Sequence, residues 1–459
     1  MLANEKRAKV SANLKIWAYY RLGMYNAVVE TQSRNLNWRA YFAKIIAYAA
    51  LGKNEEAKKL LETFYTSRQY RTHGELLVKA LAHYMADVAL GLKDAVSIAP
   101  VIELALLIKV NDRENALKKA EHLIEAKVYR SKPELLLYYS NLTAFLARKK
   151  LTLLNIYLAQ YNLTKVRLKD KNNTLSVKNL SAKSEPLKND TLVSIIVTTY
   201  NSSGYIETAL HSILSQSYSN IEVIVVDDAS SDHTVEIIET FVKADARVRL
   251  IKLSKNVGTY VAKNIALDLA NGEFVTCHDS DDWSHPLKIE KQVMVLIKDT
   301  KLLASISYWV RIDENGKYYT RYVYPLGRLN MSSLMYRKEK VLKMMGYYDS
   351  VRTGADSEFY ARMTLVFGKK KIKRVKLPLS FGAHRENSLM TEKHTGYCDA
   401  GISSNRLQYW ESWNHWHIQE TAFKRVLFVD FGINHERAFE APKELIVKYE
   451  DIERVKRCL

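Results

Sequence analysis

Three clusters of acids and hydroxyls stand out in the chain, each directly after a short run rich in β-branched residues. After residues 193–197 come Thr198, Thr199, Tyr200 and Asn201. After 221–226 come Asp227, Asp228, Ala229, Ser230, Ser231 and Asp232, and after 274–277 come His278, Asp279, Ser280, Asp281, Asp282 and Trp283. Such side chains can accept from N–H donors, offer an aromatic face and bind hard divalent cations. The glycine fingerprint GxGxxG and the phosphate loop GxxxxGK[ST] are both missing, which argues against hydride transfer and P-loop phosphoryl transfer.

Clusters of this kind need strands to end where they begin. Residues 193–199, 221–226, 248–253 and 274–277 read as strands, separated by helical patterns over about 205–215, from 234, and over 260–270. That alternation predicts a parallel sheet flanked by helices, whose ligands bind outside the carboxyl ends of the strands. Residues 1–165 read instead as helix after helix, with apolar residues spaced by three and four, as at Leu14, Trp17 and Ala18. Three stretches there resemble one another, beginning at Leu22-Gly23, Leu51-Gly52 and Val110-Asn111. Their aligned Ala27, Ala57 and Ala116 are spaced like units of a degenerate tetratricopeptide-type array. Residues 166–191 are polar, lack periodicity and read as a linker. From 399 on, Trp410, Trp413 and Trp416 recur along one helical face, either packing on the neighbouring domain or forming a stacking or lipid-facing surface.

The 459 residues, 47% hydrophobic and 26% charged, suffice for two or three domains with real cores. Cys277, Cys398 and Cys458 show no paired spacing, so a disulfide framework and a CxxC zinc site are not expected. Neither a signal peptide nor a membrane-spanning run is expected either.

The segments VSIIVTTYN (193–201), VVDDASSD (225–232), NVGTYVAKNIAL (256–267) and HDSDDW (278–283) resemble, in order, the motifs of the family 2 glycosyltransferases. The stretch SSLMYRKEKVLKMMGYYDSVRTGADSEFYARM (332–363) is similar to that family's acceptor-side segment. The resemblance covers about 191–395. It implies an α/β GT-A nucleotide-sugar transferase domain at 192–398, preceded by an all-α helical-repeat domain and followed by a short α-rich C-terminal extension.

It also implies roles. Asp279 and Asp281 form the DxD pattern that holds Mn²⁺ or Mg²⁺, with Asp281 the direct ligand and Asp282 either capping or contacting the sugar. Asp228 faces the nucleobase imide, with Asp227 sharing that role or bonding the turn, and Thr198 and Tyr200 lie beside the base. Lys263 stands where the family has Arg and is expected at the diphosphate, as a point charge without a fork. Asp356 is the expected general base, with Glu358 its rival, and Ala355 replaces the usual Glu. His384 is expected to approach the metal or the diphosphate, and Arg385 a phosphate, ahead of Asn387-Ser388-Leu389-Met390-Thr391.

The expected reaction is inverting, metal-dependent transfer from a nucleoside diphosphate sugar, a uridine one, to a hydroxyl of a glycan or lipid-linked glycan such as a capsule or lipopolysaccharide precursor. Residues 1–190 carry 32 basic against 17 acidic side chains, and the remainder 37 against 33. That asymmetry suits a solvated basic surface, an anionic membrane surface at the cytoplasmic face, or a polyanionic partner; no nucleic-acid motif accompanies it. The helical domain is also a candidate site for partner proteins. Two rivals stand: an inactive helical-repeat scaffold with a degenerate transferase domain, and a nucleotidyltransferase.

Overall fold

The computed structural model describes residues 10–66, 70–143, 146–385, 396–398, 401–431 and 437–459. The amino-terminal part is all helical: α1 (Ala12–Leu22), α2 (Tyr25–Glu30), α3 (Trp38–Ala50), α4 (Asn54–Thr66), α5 (Tyr70–Leu81), α6 (Ala86–Gly91), α7 (Pro100–Lys109), α8 (Arg113–Glu125), α9 (Leu135–Leu142) and α10 (Ala147–Ala159). The three similar stretches of sequence are the tight turns of the helix pairs α1/α2, α3/α4 and α7/α8. Each turn has a residue at positive φ, namely Gly23 (+73°), Gly52 (+73°) and Asn111 (+63°). Glycine adopts that conformation without penalty, and asparagine tolerates it better than most residues. Ala57 and Ala116, the small residues of the second helices, are fully buried.

The sheet-bearing half contains β1 (Arg167–Leu168), β2 (Leu180–Ser181), β3 (Val193–Thr199), α11 (Ile206–Leu214), β4 (Ile221–Asp227), α12 (Thr234–Ala244), β5 (Val248–Lys252), α13 (Thr259–Leu269), β6 (Phe274–Asp279) and β7 (Trp283–Ser284). It continues with α14 (Lys288–Lys298), β8 (Ala304–Ile312), β9 (Tyr318–Tyr319), β10 (Arg328–Leu329), β11 (Met335–Arg337), α15 (Lys338–Met345), α16 (Ala355–Phe367) and β12 (Ile372–Ala383). The main sheet runs β5-β4-β3-β6-β11-β8-β12-β7, with β9 and β10 paired onto β8. Strands β5, β4, β3 and β6 are parallel, and β11 runs antiparallel to both β6 and β8.

Strands β4, β3 and β6 of the parallel part are buried on both faces, whereas the edge strand β5 exposes Arg249 and Lys252. Val193, Ile195 and Val197 pack with α11 and α14, whereas Ile196, Ile224 and Val226 pack with α13 on the other face. Register then brings the polar strand ends together: Thr199 lies opposite Asp227, and Thr198 opposite Asp279.

Residues 166–191 are not the bare linker that their composition suggests. They fold into the β1/β2 ladder around Asn179, whose amide donates to the carbonyls of Asp170, Asn173 and Thr174. Leu175, Val177 and Leu180 are buried in a cluster that also holds Leu135 and Tyr138 of α9 and Val310, Ile312, Leu379 and Phe381 of the sheet. Helices and sheet therefore share one core. Val166, Leu175, Val177 and Leu180, four apolar side chains among many polar ones, are enough to seat the segment, which composition averages away.

The chain ends with α17 (Ser404–Phe423) and α18 (Tyr449–Arg457). The tryptophan row packs: Trp413 and Trp416 are buried beside Phe359 and Met363 of α16, so they offer no stacking or lipid-facing stripe. Trp410 Nε1 donates to the Leu22 carbonyl (2.6 Å), and Glu411 accepts from the Asn26 backbone amide (2.8 Å). Thus α17 satisfies polar groups that the end of α1 and the start of α2 leave open.

Candidate functional site

The site lies at the carboxyl ends of β3, β4 and β6. Asp228, just past β4, accepts from the backbone amides of Val257 and Gly258, both at 2.7 Å. Gly258 has φ +81° and starts α13, so Asp228 sets the entry of the helix that carries Tyr260 and Lys263. Burial pushes the Asp228 carboxyl up to about 6, against the pull of the two amides and Arg352. Its expected place beside a nucleobase thus coincides with a clamp on its own loop. Asp227 takes the turn-bonding role, accepting from the Ser230 amide and hydroxyl.

Thr198 is buried and shares a hydrogen bond with Thr259 (2.6 Å), while Tyr200 is 50% exposed. The Ser202 and Ser280 hydroxyls bond at 2.9 Å, tying the loop after β3 to the acidic turn after β6.

Lys263 is buried with Nζ 3.9 Å from Asp279 Oδ1 and 5.3 Å from the Tyr260 ring centre. Burial alone would lower its pKa; Cys277, Asp279 and Asp356 together raise it above the ordinary value. Asp279 also accepts from the Ser332 hydroxyl at 2.6 Å. Asp281 pairs with Arg385 (2.8 Å), and Asp282, fully desolvated, accepts from the Ala383 amide (3.2 Å). Burial and the neighbouring carboxylates raise both Asp281 and Asp282 above the usual carboxylate range, although Arg385 draws Asp281 back down.

Among the described residues no three His, Cys, Asp or Glu side chains converge into a preformed metal cluster. Asp279 and Asp281 nonetheless fit Mn²⁺ or Mg²⁺: both are hard oxygen donors on one turn, their side chains 36% and 18% exposed, and one or two carboxylates suffice when phosphate oxygens complete the shell. His384 is not gathered with them. Its ring lies flat on Tyr319 (3.7 Å, 7°), and burial together with Arg311 lowers its pKa to about 4. Residues 387–391 lie outside the described residues.

Asp356 sits in the first turn of α16, half-buried, its Oδ1 accepting from the Ser357 amide at 2.7 Å. Its charge acts on the Tyr260 hydroxyl and on Lys263, which places it on the same side of the sheet as Asp279. Glu358 is different. It is fully buried, forks onto Arg362 Nε (2.8 Å) and Nη2 (2.9 Å), and lies 3.1 Å from His417 Nε2. Burial would raise its carboxyl, yet Arg362 and His417 outweigh burial and hold it below the usual range. Arg362 in turn donates to the Met345 and Tyr347 carbonyls. Glu358 is therefore a structural anchor, and the rival for the base role falls away.

Residues 194–359 match the description "Glycosyl transferase family 2". They form a family 2 glycosyl transferase domain. Relatives similar to this chain include the putative teichuronic acid biosynthesis glycosyltransferase TuaG of Bacillus subtilis, 42% identical over 107 residues (23% of this chain, 42% of that one). Glycosyltransferase GlyG of Streptococcus pneumoniae is 36% identical over 129 residues (28% and 42%). The chain spans about half the length of the curated relatives it matches. Among solved structures, S. aureus TarS 1–349 in complex with UDP-GlcNAc aligns with a TM-score of 0.36 at 25% identity, covering 43% of this chain and 59% of that one.

The family 2 domain accounts for the motif residues, but two features of the site were not singled out from sequence. Ser332, which orients Asp279, falls inside the acceptor-side stretch without marking itself. Glu134 of the helical half accepts from the Leu326 (2.8 Å) and Gly327 (2.9 Å) amides, bracing the loop before β10. No local pattern could reveal that contact, because it spans more than 190 positions.

Proposed function

We propose that the chain is an inverting glycosyltransferase moving a sugar from a nucleoside diphosphate sugar, a uridine one, to a hydroxyl of a cell-surface glycan precursor. One observation supports this above all: register and loop bonding gather Asp228, Lys263, Asp279 and Asp281 at the strand ends, with the Asp356 charge acting on Lys263. Thr198, Tyr200 and Asp228 would hold the base. Lys263 would meet the diphosphate, and Asp279 and Asp281 would hold Mn²⁺ or Mg²⁺, which when bound neutralises charge on the leaving diphosphate.

Asp356 would take the proton of the acceptor hydroxyl as it attacks. One oxygen of its carboxylate accepts from its own helix amide, and the carboxylate also acts on the Tyr260 hydroxyl. Lys263, already desolvated, stabilises negative charge without first shedding water. The acceptor would be a glycan or lipid-linked glycan at the cytoplasmic face of a membrane, approached peripherally by the basic helical half. Among the described residues no helix is long and apolar enough to cross a membrane.

Incubation with a panel of nucleotide sugars and Mn²⁺, reading released nucleoside diphosphate, tests the reading. An inactive scaffold releases nothing with any donor, and a nucleotidyltransferase consumes a triphosphate instead.

A further inference from the structure

Strands β8, β9 and β10 form a small ribbon whose two faces differ. Val310, Ile312 and Tyr318 point into the core shared with the helices. Trp309, Arg311, Tyr319 and Arg328 occupy the other face, because Trp309 pairs with Arg328 and Arg311 with Tyr319 in the ladders. Trp309 and Arg311 are only half-buried, and Trp309 is absent from every packed apolar cluster. Its ring lies against Gly382, where an added Cβ would meet ring carbons at 2.7 Å. Glycine there lets the indole lie close to the strand, and the Arg311 guanidinium carbon lies 5.4 Å from its ring centre.

The charges on this face are one-sided. Among the described residues neither Arg311 nor Arg328 forms an ion pair; Arg311 spends Nη2 on the Ala383 carbonyl (3.1 Å) and leaves a buried Nε without a partner. Arg328 lies 3.9 Å from the Tyr322 ring centre, and burial lowers its pKa. Glu134 acts on Arg328, and Asp281 and Asp282 act on Arg311, without reaching ion-pair contact, so a bound anion in contact would return part of the cost of desolvating these guanidinium groups. The face adjoins the acidic turn at both ends: Arg311 acts on Asp281 and Asp282, and Ser332, just past β10, bonds Asp279.

We infer that the Trp309, Arg311 and Arg328 face binds an anionic saccharide, stacking a sugar ring on Trp309 and holding a carboxylate or phosphate with the two guanidinium groups. The inference rests on the glycosyltransferase reading in one respect, that this saccharide is the acceptor. Sugar C–H faces pack on indole, and a guanidinium fork matches a planar carboxylate or a phosphate.

The probes are an oligomer of hexuronic acid, the same oligomer with its carboxyls reduced to alcohols, and a phosphate-substituted neutral oligosaccharide, with binding read by calorimetry on the full chain. The anionic oligomer should bind at least tenfold more tightly than the reduced one, and this advantage should shrink as salt rises. Comparison with the phosphate arm tells which anion is preferred. Arg328→Gln should cut the anionic advantage to under threefold, and Arg328→Lys should restore most of it. Trp309→Ala should weaken charged and neutral probes alike, as loss of stacking does not depend on charge. Equal affinity of the wild type for charged and reduced oligomers, or an advantage untouched by Arg328→Gln, overturns the inference. If Arg328→Gln does not fold, the wild-type comparison and its salt series decide alone. Turnover of uridine diphosphate sugars is measured in parallel: no turnover with the anionic preference intact overturns the activity and leaves the binding face standing.

Discussion

Arg385 Nε lies 2.8 Å from Asp281 Oδ2, so a guanidinium already sits on a carboxylate proposed to take a divalent cation. Cation and guanidinium compete for the same lone pairs. Arg385→Gln should therefore tighten Mn²⁺ binding several-fold in the absence of donor, as read by calorimetry. Asp281→Ala should weaken it and lower turnover by about 10² or more. Full activity of the wild type in EDTA would remove the metal from the reading altogether.

Asp356 and Glu358 stand two residues apart and should fail in different ways. Asp356→Asn keeps shape while removing basicity, so kcat should fall by about 10² to 10⁴ with donor affinity within twofold. Glu358→Gln breaks a buried fork onto Arg362 and should cost about 3–5 kcal/mol of stability, seen as a lowered Tm. An Asp356→Asn enzyme with unchanged kcat would send the search for the base elsewhere.

Asp228 has an ordinary pKa of 3.8 when unfolded and about 6 when folded. Between those values the folded chain keeps a proton that the unfolded chain releases. The stability gained from that proton is full below pH 3.8 and is lost as pH rises through about 6. The clamp on Val257 and Gly258 uses the opposite, ionised form. Uridine diphosphate affinity should consequently drop as pH falls below about 6 in the wild type, and stay weak and flat in Asp228→Asn. Unfolding of the two proteins across pH 4–8 isolates the stability term; a constant difference would contradict it.

Much of this was open to reading. Apolar runs ending in acids gave the strands and, with them, the candidate site, since a buried parallel strand and the residues that follow it are contiguous in sequence. Period-three and period-four spacing gave the helices, and the three similar stretches beginning at Leu22-Gly23, Leu51-Gly52 and Val110-Asn111 turn out to be turns between them. What escaped was non-local. Whether Glu358 is a base or an anchor depends on His417, and whether 166–191 is a tether or a packed segment depends on Val310 and Phe381. Neither partner leaves a trace near the residue it decides.

That packed segment changes what proteolysis should show. Cleavage between Leu168 and Asp190 into two stable fragments fits a tether; Leu175, Val177 and Leu180 at 0–2% exposure do not fit one. Helical and sheet parts should unfold in a single transition by calorimetry, and Leu180→Ala should lower the stability of both by about 2–5 kcal/mol. Two separate transitions in the wild type would show that the shared core couples them weakly.

The bonds from Asn26 to Glu411 join residues 385 positions apart. At about 5–20 residues per second of synthesis, roughly 20 to 80 seconds separate the emergence of one from the emergence of the other. During that interval the Leu22 carbonyl and the Asn26 amide face water, so the newborn helical array has a wet flank that dries only when α17 arrives. A ribosome stalled before Trp410 would hold an array complete in helices and still open along one side.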